Sequence, residues 1–148
     1  MNRLSVRRLA RLAVAVAAIM AGLALTPALA GVVVRIDKSS QRMDVSVDGT
    51  VRYSWPVSTG RRGYGTPSGV FQPTMMARRW FSRKYYNSPM PHAIFFYHGY
   101  AIHGTYELAR LGGPASHGCV RLHPSNAAAL FALVERNGRR NTRIVVSN

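Results

Sequence analysis

Two short segments of the chain hold residue types suited to nucleophilic catalysis. The only cysteine, Cys119, lies in Ser116-His117-Gly118-Cys119-Val120-Arg121-Leu122. His103, in Ile102-His103-Gly104-Thr105, stands sixteen residues earlier. One loop can bring the two together. A thiol of ordinary pKa, near ~8.5, is mostly protonated at neutral pH, and the thiolate is the nucleophile. A histidine within hydrogen-bond reach removes that proton, or pairs with the sulfur as an ion. It can later return a proton to a leaving amine. His103 ends an apolar strand, which fixes its position. The Gly104 carbonyl can orient the second imidazole nitrogen in place of a carboxylate. Gly118 permits close approach of a substrate to the backbone. The N–H groups of His117, Gly118 and Cys119 are candidates for an oxyanion hole, where one donor is worth on the order of 10²–10³ in rate.

Other readings compete for the same residues. A lone cysteine is most often a small buried hydrophobe. A zinc site could draw on His103, His117, Cys119 and His123, but the chain has no Cys-x-x-Cys or His-x-x-x-His pair. Structural zinc ligands recur at such spacings, so no metal and no cofactor are expected. His92 and His98 have no comparable context and read as surface or satisfied strand histidines. Ser116 is either a substrate contact or a brace for its loop. His117 is either a brace or part of the site. Glu107 is the only acid near either motif, so the chemistry is read without a third carboxylate.

The beginning of the chain reads as an export signal. Arg3, Arg7, Arg8 and Arg11 precede an apolar run from Leu12 to Leu25, and Ala28-Leu29-Ala30 has the small-x-small form of a cleavage site. Cleavage after Ala30 is expected, leaving residues 31–148 as one domain in the periplasm. The run is short for a membrane span, which needs ~20 residues. An exported thiol with no second cysteine has no intrachain disulfide to join. Loss of the leader arginines lowers the net charge from +15 to about +11. After export, anionic envelope polymers or membrane surfaces suit this charge better than nucleic acid. No aromatic-basic interleaving of a nucleic-acid module is present.

The elements that must position the two motifs are mostly strands. Gly31–Asp37 and Met43–Val47 read as strands, the second alternating apolar and polar residues. Asp48-Gly49 is a hairpin turn into Val51–Trp55. Residues 60–69 form a glycine-rich loop, and Gly69–Gln72 resumes an extended path. Residues 77–91 mix Arg, aromatics and Pro and read as an irregular excursion. His92–Tyr97 and Tyr100–His103 form a second hairpin around His98-Gly99. Pro124 opens the one clear helix, with Ala127, Leu130, Phe131 and Val134 on its apolar face. Gly138 caps it, and Thr142–Ser147 is a closing strand.

Ile102-His103-Gly104-Thr105 followed by Ser116-His117-Gly118-Cys119-Val120-Arg121 resembles the signature of the L,D-transpeptidase catalytic domain, the YkuD-type family. Pro56-Val57-Ser58-Thr59-Gly60, Thr66-Pro67-Ser68-Gly69-Val70-Phe71 and Asn87-Ser88-Pro89-Met90-Pro91 are similar to further family segments, in order. The resemblance implies a mostly-β, β-sandwich-like domain with one main helix near the C-terminus. It implies that Cys119 attacks a peptidoglycan tetrapeptide stem, between a diamino acid and a terminal D-alanine. The acyl group then passes to an amine. That amine belongs to a neighbouring stem, to an outer-membrane protein, or to a free D-amino acid. By the same resemblance His103 is the base, Gly104 supplies the orienting carbonyl where some relatives have serine, and Arg121 lies in the substrate site. A guanidinium suits a substrate carboxylate, and a structural arginine is the alternative. Tyr97 or Tyr100 is a candidate assistant, as a tyrosine assists in some relatives. The chain shows no lysin motif, so substrate capture is expected to rest on the domain and its basic surface. Two other functions stay open: a hydrolase that uses the same cysteine with water as acceptor, and a non-catalytic basic wall-binding protein. Oligomeric state is not readable.

Overall fold

A computed structural model describes residues 31–148; the export-signal reading of residues 1–30 lies outside the described residues. Eleven strands and one α-helix follow in the order β1 (Val32–Asp37), β2 (Arg42–Val47), β3 (Thr50–Pro56), β4 (Gly69–Phe71), β5 (Met75–Ala77), β6 (Phe81–Ser82), β7 (Ser88–Pro89), β8 (Ala93–Tyr97), β9 (Tyr100–Gly104), β10 (Val120–Leu122), α1 (Pro124–Asn137) and β11 (Thr142–Ser147). Short 3-10 turns at Leu108–Arg110 and Arg139–Asn141 complete the elements of the described residues. Among the described residues no helix is long and apolar enough to cross a membrane.

The strands form a five-stranded sheet, β3-β2-β1-β11-β4, and a four-stranded sheet, β10-β9-β8-β5. The hairpin turn between β2 and β3 has Asp48 at φ 49 and Gly49 at φ 82, the left-handed pair that a two-residue turn requires. The last strand, β11, enters the middle of the first sheet and runs parallel to β1. That placement depends on a distant pairing and leaves no local mark in the sequence.

Alternation decides which side chains are buried. Val32, Val34 and Ile36 of β1, with Met43 and Val45 of β2, meet Ile94 and Phe96 of β8, Ile102 of β9, and Val120 and Leu122 of β10 in one core. Ala127, Leu130, Phe131 and Val134 of α1 join the same core. Pro124 opens the helix, and Gly138, at φ 86, ends it by donating to the Val134 carbonyl. The opposite face of the second sheet carries the intervening residues. Ala93, Phe95 and Ala101 form a smaller cluster there with Met90, and Cys119 packs against it. The second sheet therefore supports the hydrophobic core with one face and Cys119 with the other.

The candidate active site

β10 runs parallel to β9, with Val120 opposite Ile102, Arg121 opposite His103 and Leu122 opposite Gly104. Because side chains alternate, Ala101 and His103 project from the same face as Cys119 and Arg121. The intervening crossover, residues 105–119, brings the two motifs side by side. His103 is buried, and its Nδ1 lies 2.7 Å from the Gly104 carbonyl oxygen. A carbonyl only accepts, so Nδ1 carries the proton and Nε2 presents a lone pair. This is the tautomer that a base facing the thiol requires. Burial lowers the His103 pKa to about 4; the Gly104 carbonyl opposes the shift and Arg121 adds to it. Burial pushes the Cys119 thiol upward, against smaller opposing effects of the Ala101 amide and Arg121. Both shifts favour a neutral thiol and a neutral imidazole over an ion pair. Sγ lies 4.0 Å from the Gly99 carbonyl oxygen.

The loop before Cys119 is tied from within and from outside. Ser116 is buried, accepts the Gly118 N–H at 2.9 Å and donates to the Cys119 carbonyl at 2.5 Å. Its hydroxyl is engaged in the loop, the bracing alternative of the two expected for Ser116, and the residue also borders the cleft. The same bond removes the Gly118 amide from the oxyanion donors. Gly118 instead supplies conformation: it sits at φ 118, and a Cβ there would lie 2.5 Å from the Tyr100 ring. From outside, segment 57–66 lies along the loop. Ser58 and Arg121 exchange backbone hydrogen bonds at 3.0 and 2.8 Å, and Arg61 donates to the Ser116 carbonyl at 3.0 Å. The Thr66 hydroxyl donates to the Gly118 carbonyl at 2.7 Å. Buried Gln41 in turn holds Thr59 through both its amide atoms, at 2.6 and 2.9 Å.

Residues 78–91 are not wholly irregular. They make a flap whose only regular part is the β6–β7 ladder, Phe81 opposite Pro89 and Ser82 opposite Ser88. Trp80 lies edge-on to Phe95 at 5.3 Å, which fastens one end. Tyr85 stacks on the His117 ring at 4.3 Å and 18°. Tyr64 meets that ring edge-on at 4.8 Å, and Arg61 Nη2 lies 2.8 Å from His117 Nε2. His117 therefore joins the flap to the glycine-rich loop. Loss of hydration lowers its pKa first, and Arg61 adds to the effect.

The flap, the 105–119 crossover and the second sheet border a cleft of about 1060 Å³ that reaches His103, Cys119 and Arg121. Arg121 Nη1 pairs with Glu107 Oε2 at 3.2 Å. Tyr97 and Tyr100, the expected candidate assistants, do not line this cleft; Tyr85, Tyr86 and Tyr106 do. The Lys84-Tyr85-Tyr86-Asn87 run is the sequence signal for Tyr85 and Tyr86, and Tyr106 has none beyond its nearness to His103. His123 caps α1, its Nδ1 accepting from the Ser125 amide at 3.3 Å, and stands apart from the cleft. His92 lies beside Phe131, ring centroids 5.5 Å apart, with Nδ1 buried and unpartnered, so it is not the satisfied strand histidine expected.

Residues 31–146 match the family model of the L,D-transpeptidase catalytic domain. None of the curated proteins matches the chain. Among solved structures, an L,D-transpeptidase from Mycobacterium smegmatis superposes with a TM-score of 0.72 at 26% identity, over 80% of this chain and 59% of that one. One from Stackebrandtia nassauensis gives 0.70 at 25% identity, over 86% and 62%. One from Xylanimonas cellulosilytica gives 0.65 at 30% identity, over 80% and 61%. The chain thus spans about three-fifths of the length of these relatives. With the family model covering nearly all the described residues, and the expected mostly-β fold with its single main helix in place, the chain belongs to the L,D-transpeptidase catalytic-domain family.

Proposed function

We propose that this protein is a periplasmic L,D-transpeptidase that forms a thioester on Cys119 from a peptidoglycan tetrapeptide stem. The observation that carries the reading is the β9–β10 register, which sets a correctly tautomerised imidazole and a thiol on one face at the floor of a peptide-sized cleft. Sγ attacks the carbonyl carbon of the diamino acid while His103 Nε2 takes the thiol proton. The carbonyl oxygen becomes an oxyanion, received by the backbone amides of His117 and Cys119. Collapse breaks the bond to D-alanine, and His103 returns the proton to the departing amine. An acceptor amine then attacks the thioester. His103 takes its proton, the sulfur leaves as thiolate, and the same proton restores the thiol. The acceptor is a neighbouring stem or an outer-membrane protein, giving a cross-link or an anchor.

Incubation with a disaccharide-tetrapeptide, followed by intact-mass measurement, tests the reading. The expected adduct equals the donor less D-alanine, is located on Cys119, and is absent in Cys119→Ala. Dimeric products identify an amine acceptor, whereas tripeptides alone identify the hydrolase reading. An unlabelled Cys119 would favour a non-catalytic wall-binding protein. Export is tested separately by the N-terminal sequence of the mature protein, expected to begin at Gly31.

A further inference from the structure

The charge around the cleft is uneven. Arg79, Arg83 and Lys84 line it from the flap and Arg121 from the floor, and Glu107 is the one acid among the lining residues. Glu107 is already engaged by Arg121. Arg79, Arg83 and Lys84 are exposed, and none of them forms an ion pair among the described residues. Elsewhere Arg78, next to Arg79, is paired with Glu135 at 2.6 Å. The flap therefore keeps its uncompensated cations on the side that faces the reacting pair. Lys84 is held there through its neighbour: its Nζ lies 5.4 Å from the Tyr85 ring centroid, and Tyr85 stacks on His117.

We propose that these flap cations make the cleft select stem peptides whose side carboxyl groups are free, and reject stems in which those groups are carboxamides. The inference rests on the transpeptidase reading and names the substrate class within it. A carboxylate and a carboxamide have nearly the same shape, so packing cannot separate them. Charge and hydrogen-bond sense can. Lysine and arginine only donate, a carboxylate only accepts, and a carboxamide turns half of its polar edge into donors. Placed against Arg83 or Lys84, an amide nitrogen meets donor with donor. It also forfeits the attraction of a cleft in which cations outnumber acids, where low-dielectric walls concentrate the field. The Arg121–Glu107 contact at 3.2 Å shows that a carboxylate fits against a cation inside this cleft.

The test compares two disaccharide-tetrapeptides that both end in a free D-alanine carboxylate. One has its side carboxyl groups free, and the other has them as carboxamides. Acylation of Cys119 is followed by intact mass. At low salt the free-acid donor is expected to acylate on the order of tenfold faster, the lower end of electrostatic steering. The ratio should shrink at about 0.5 M salt, because these cations are exposed and screened. In an Arg83→Gln/Lys84→Gln double variant the ratio should fall because the free-acid donor slows more. Should that variant misfold, Arg79→Gln and the wild-type salt series read the same quantity. Equal rates, a faster amidated donor, or equal slowing of both donors overturns the selectivity. No adduct from either donor overturns the transpeptidase reading beneath it.

Discussion

The floor and the flap of the cleft are built by different means. On the floor, His103 and Arg121 lie on paired strands, and the loop carrying Cys119 is closed by the Ser116 hydroxyl and clasped by segment 57–66. These bonds are main-chain or buried, and few of them can be lost singly. The flap is bonded mainly to itself and at its base, by the β6–β7 ladder, Met90 to Trp80, His92 to Arg78 and the Trp80–Phe95 contact, and its tip meets the nucleophile loop through one stacked ring. Chemistry demands placement to a fraction of an ångström, which rigid elements supply. On the proposed function, admission of a large polymeric substrate demands a wall that can yield. Under that proposal the comparison assigns catalysis to the first region and recognition to the second, and it can be broken from either side.

The largest effect belongs to the floor. His103→Gln should lower acylation by about 10²–10⁴, the range for loss of a positioned base. Rapid mixing with the tetrapeptide donor and mass detection would measure it. A fall below tenfold would remove His103 from the proton path. The same residue gives a pH signature. The free enzyme's acid limb should sit near the lowered value, about 4, well under the ordinary histidine range. Thiolate absorbance near 240 nm should be missing at pH 7, since burial raises the Cys119 pKa. A resting ion pair would show that absorbance at neutral pH and overturn the neutral assignment. Stability follows with the same sign. An imidazole held neutral in the fold contributes fully above about 6.5, its unfolded value, and that contribution disappears as pH falls to about 4. Thermal melts from pH 7 to 4 should fall more steeply for wild type than for His103→Gln.

Next come the residues that shape the nucleophile loop. Gly118→Ala forces a side chain into φ 118 and against the Tyr100 ring. Backbone strain and overpacking each cost about 1–3 kcal/mol, so a loss of ~2–6 kcal/mol in denaturant unfolding is expected. A neutral result would mean that the loop relaxes freely and that the floor is softer than its bonds indicate. Ser116→Ala removes two loop hydrogen bonds and strands the Gly118 amide. A cost of about 1–3 kcal/mol is expected. Its effect on acylation should be larger than its effect on donor affinity, because the thiol is displaced while the flap is untouched.

This contrast also explains what the sequence made legible. The β1, β2–β3 and β8–β9 strands, the helix from Pro124 and the Cys119–His103 pair all follow from local pattern, turn residues or spacing. The Gly104 carbonyl was legible because it adjoins His103 in the chain. What escaped local reading depends on long-range contact. The parallel pairing of β11 with β1 joins the two ends of the domain. Ser116 could be read as brace or substrate contact, and only the fold shows its hydroxyl closed on Cys119. The Gly118 amide looked available until that same hydroxyl claimed it. The Tyr85–His117–Tyr64 arrangement unites three separate segments, none of which has a periodic signal.

The smallest effect probes the flap. Tyr85→Ala removes one face of the His117 stack, and aromatic pairs of this kind contribute about 0.5–1.5 kcal/mol. Arg61 and Tyr64 still hold His117 from the loop side, so the nucleophile loop keeps its bonds. The flap, by contrast, loses the contact that ties its tip to the floor. KM for the tetrapeptide should therefore rise severalfold, with a smaller change in kcat, and global stability should fall by about 0.5–1.5 kcal/mol. Tyr85→Phe keeps the ring and should restore KM, which separates stacking from any contribution of the phenol. A fall in kcat larger than the rise in KM would show that the flap sets the chemical step as well. His117 would then be the route, because it is both the Tyr85 partner and two residues from the thiol.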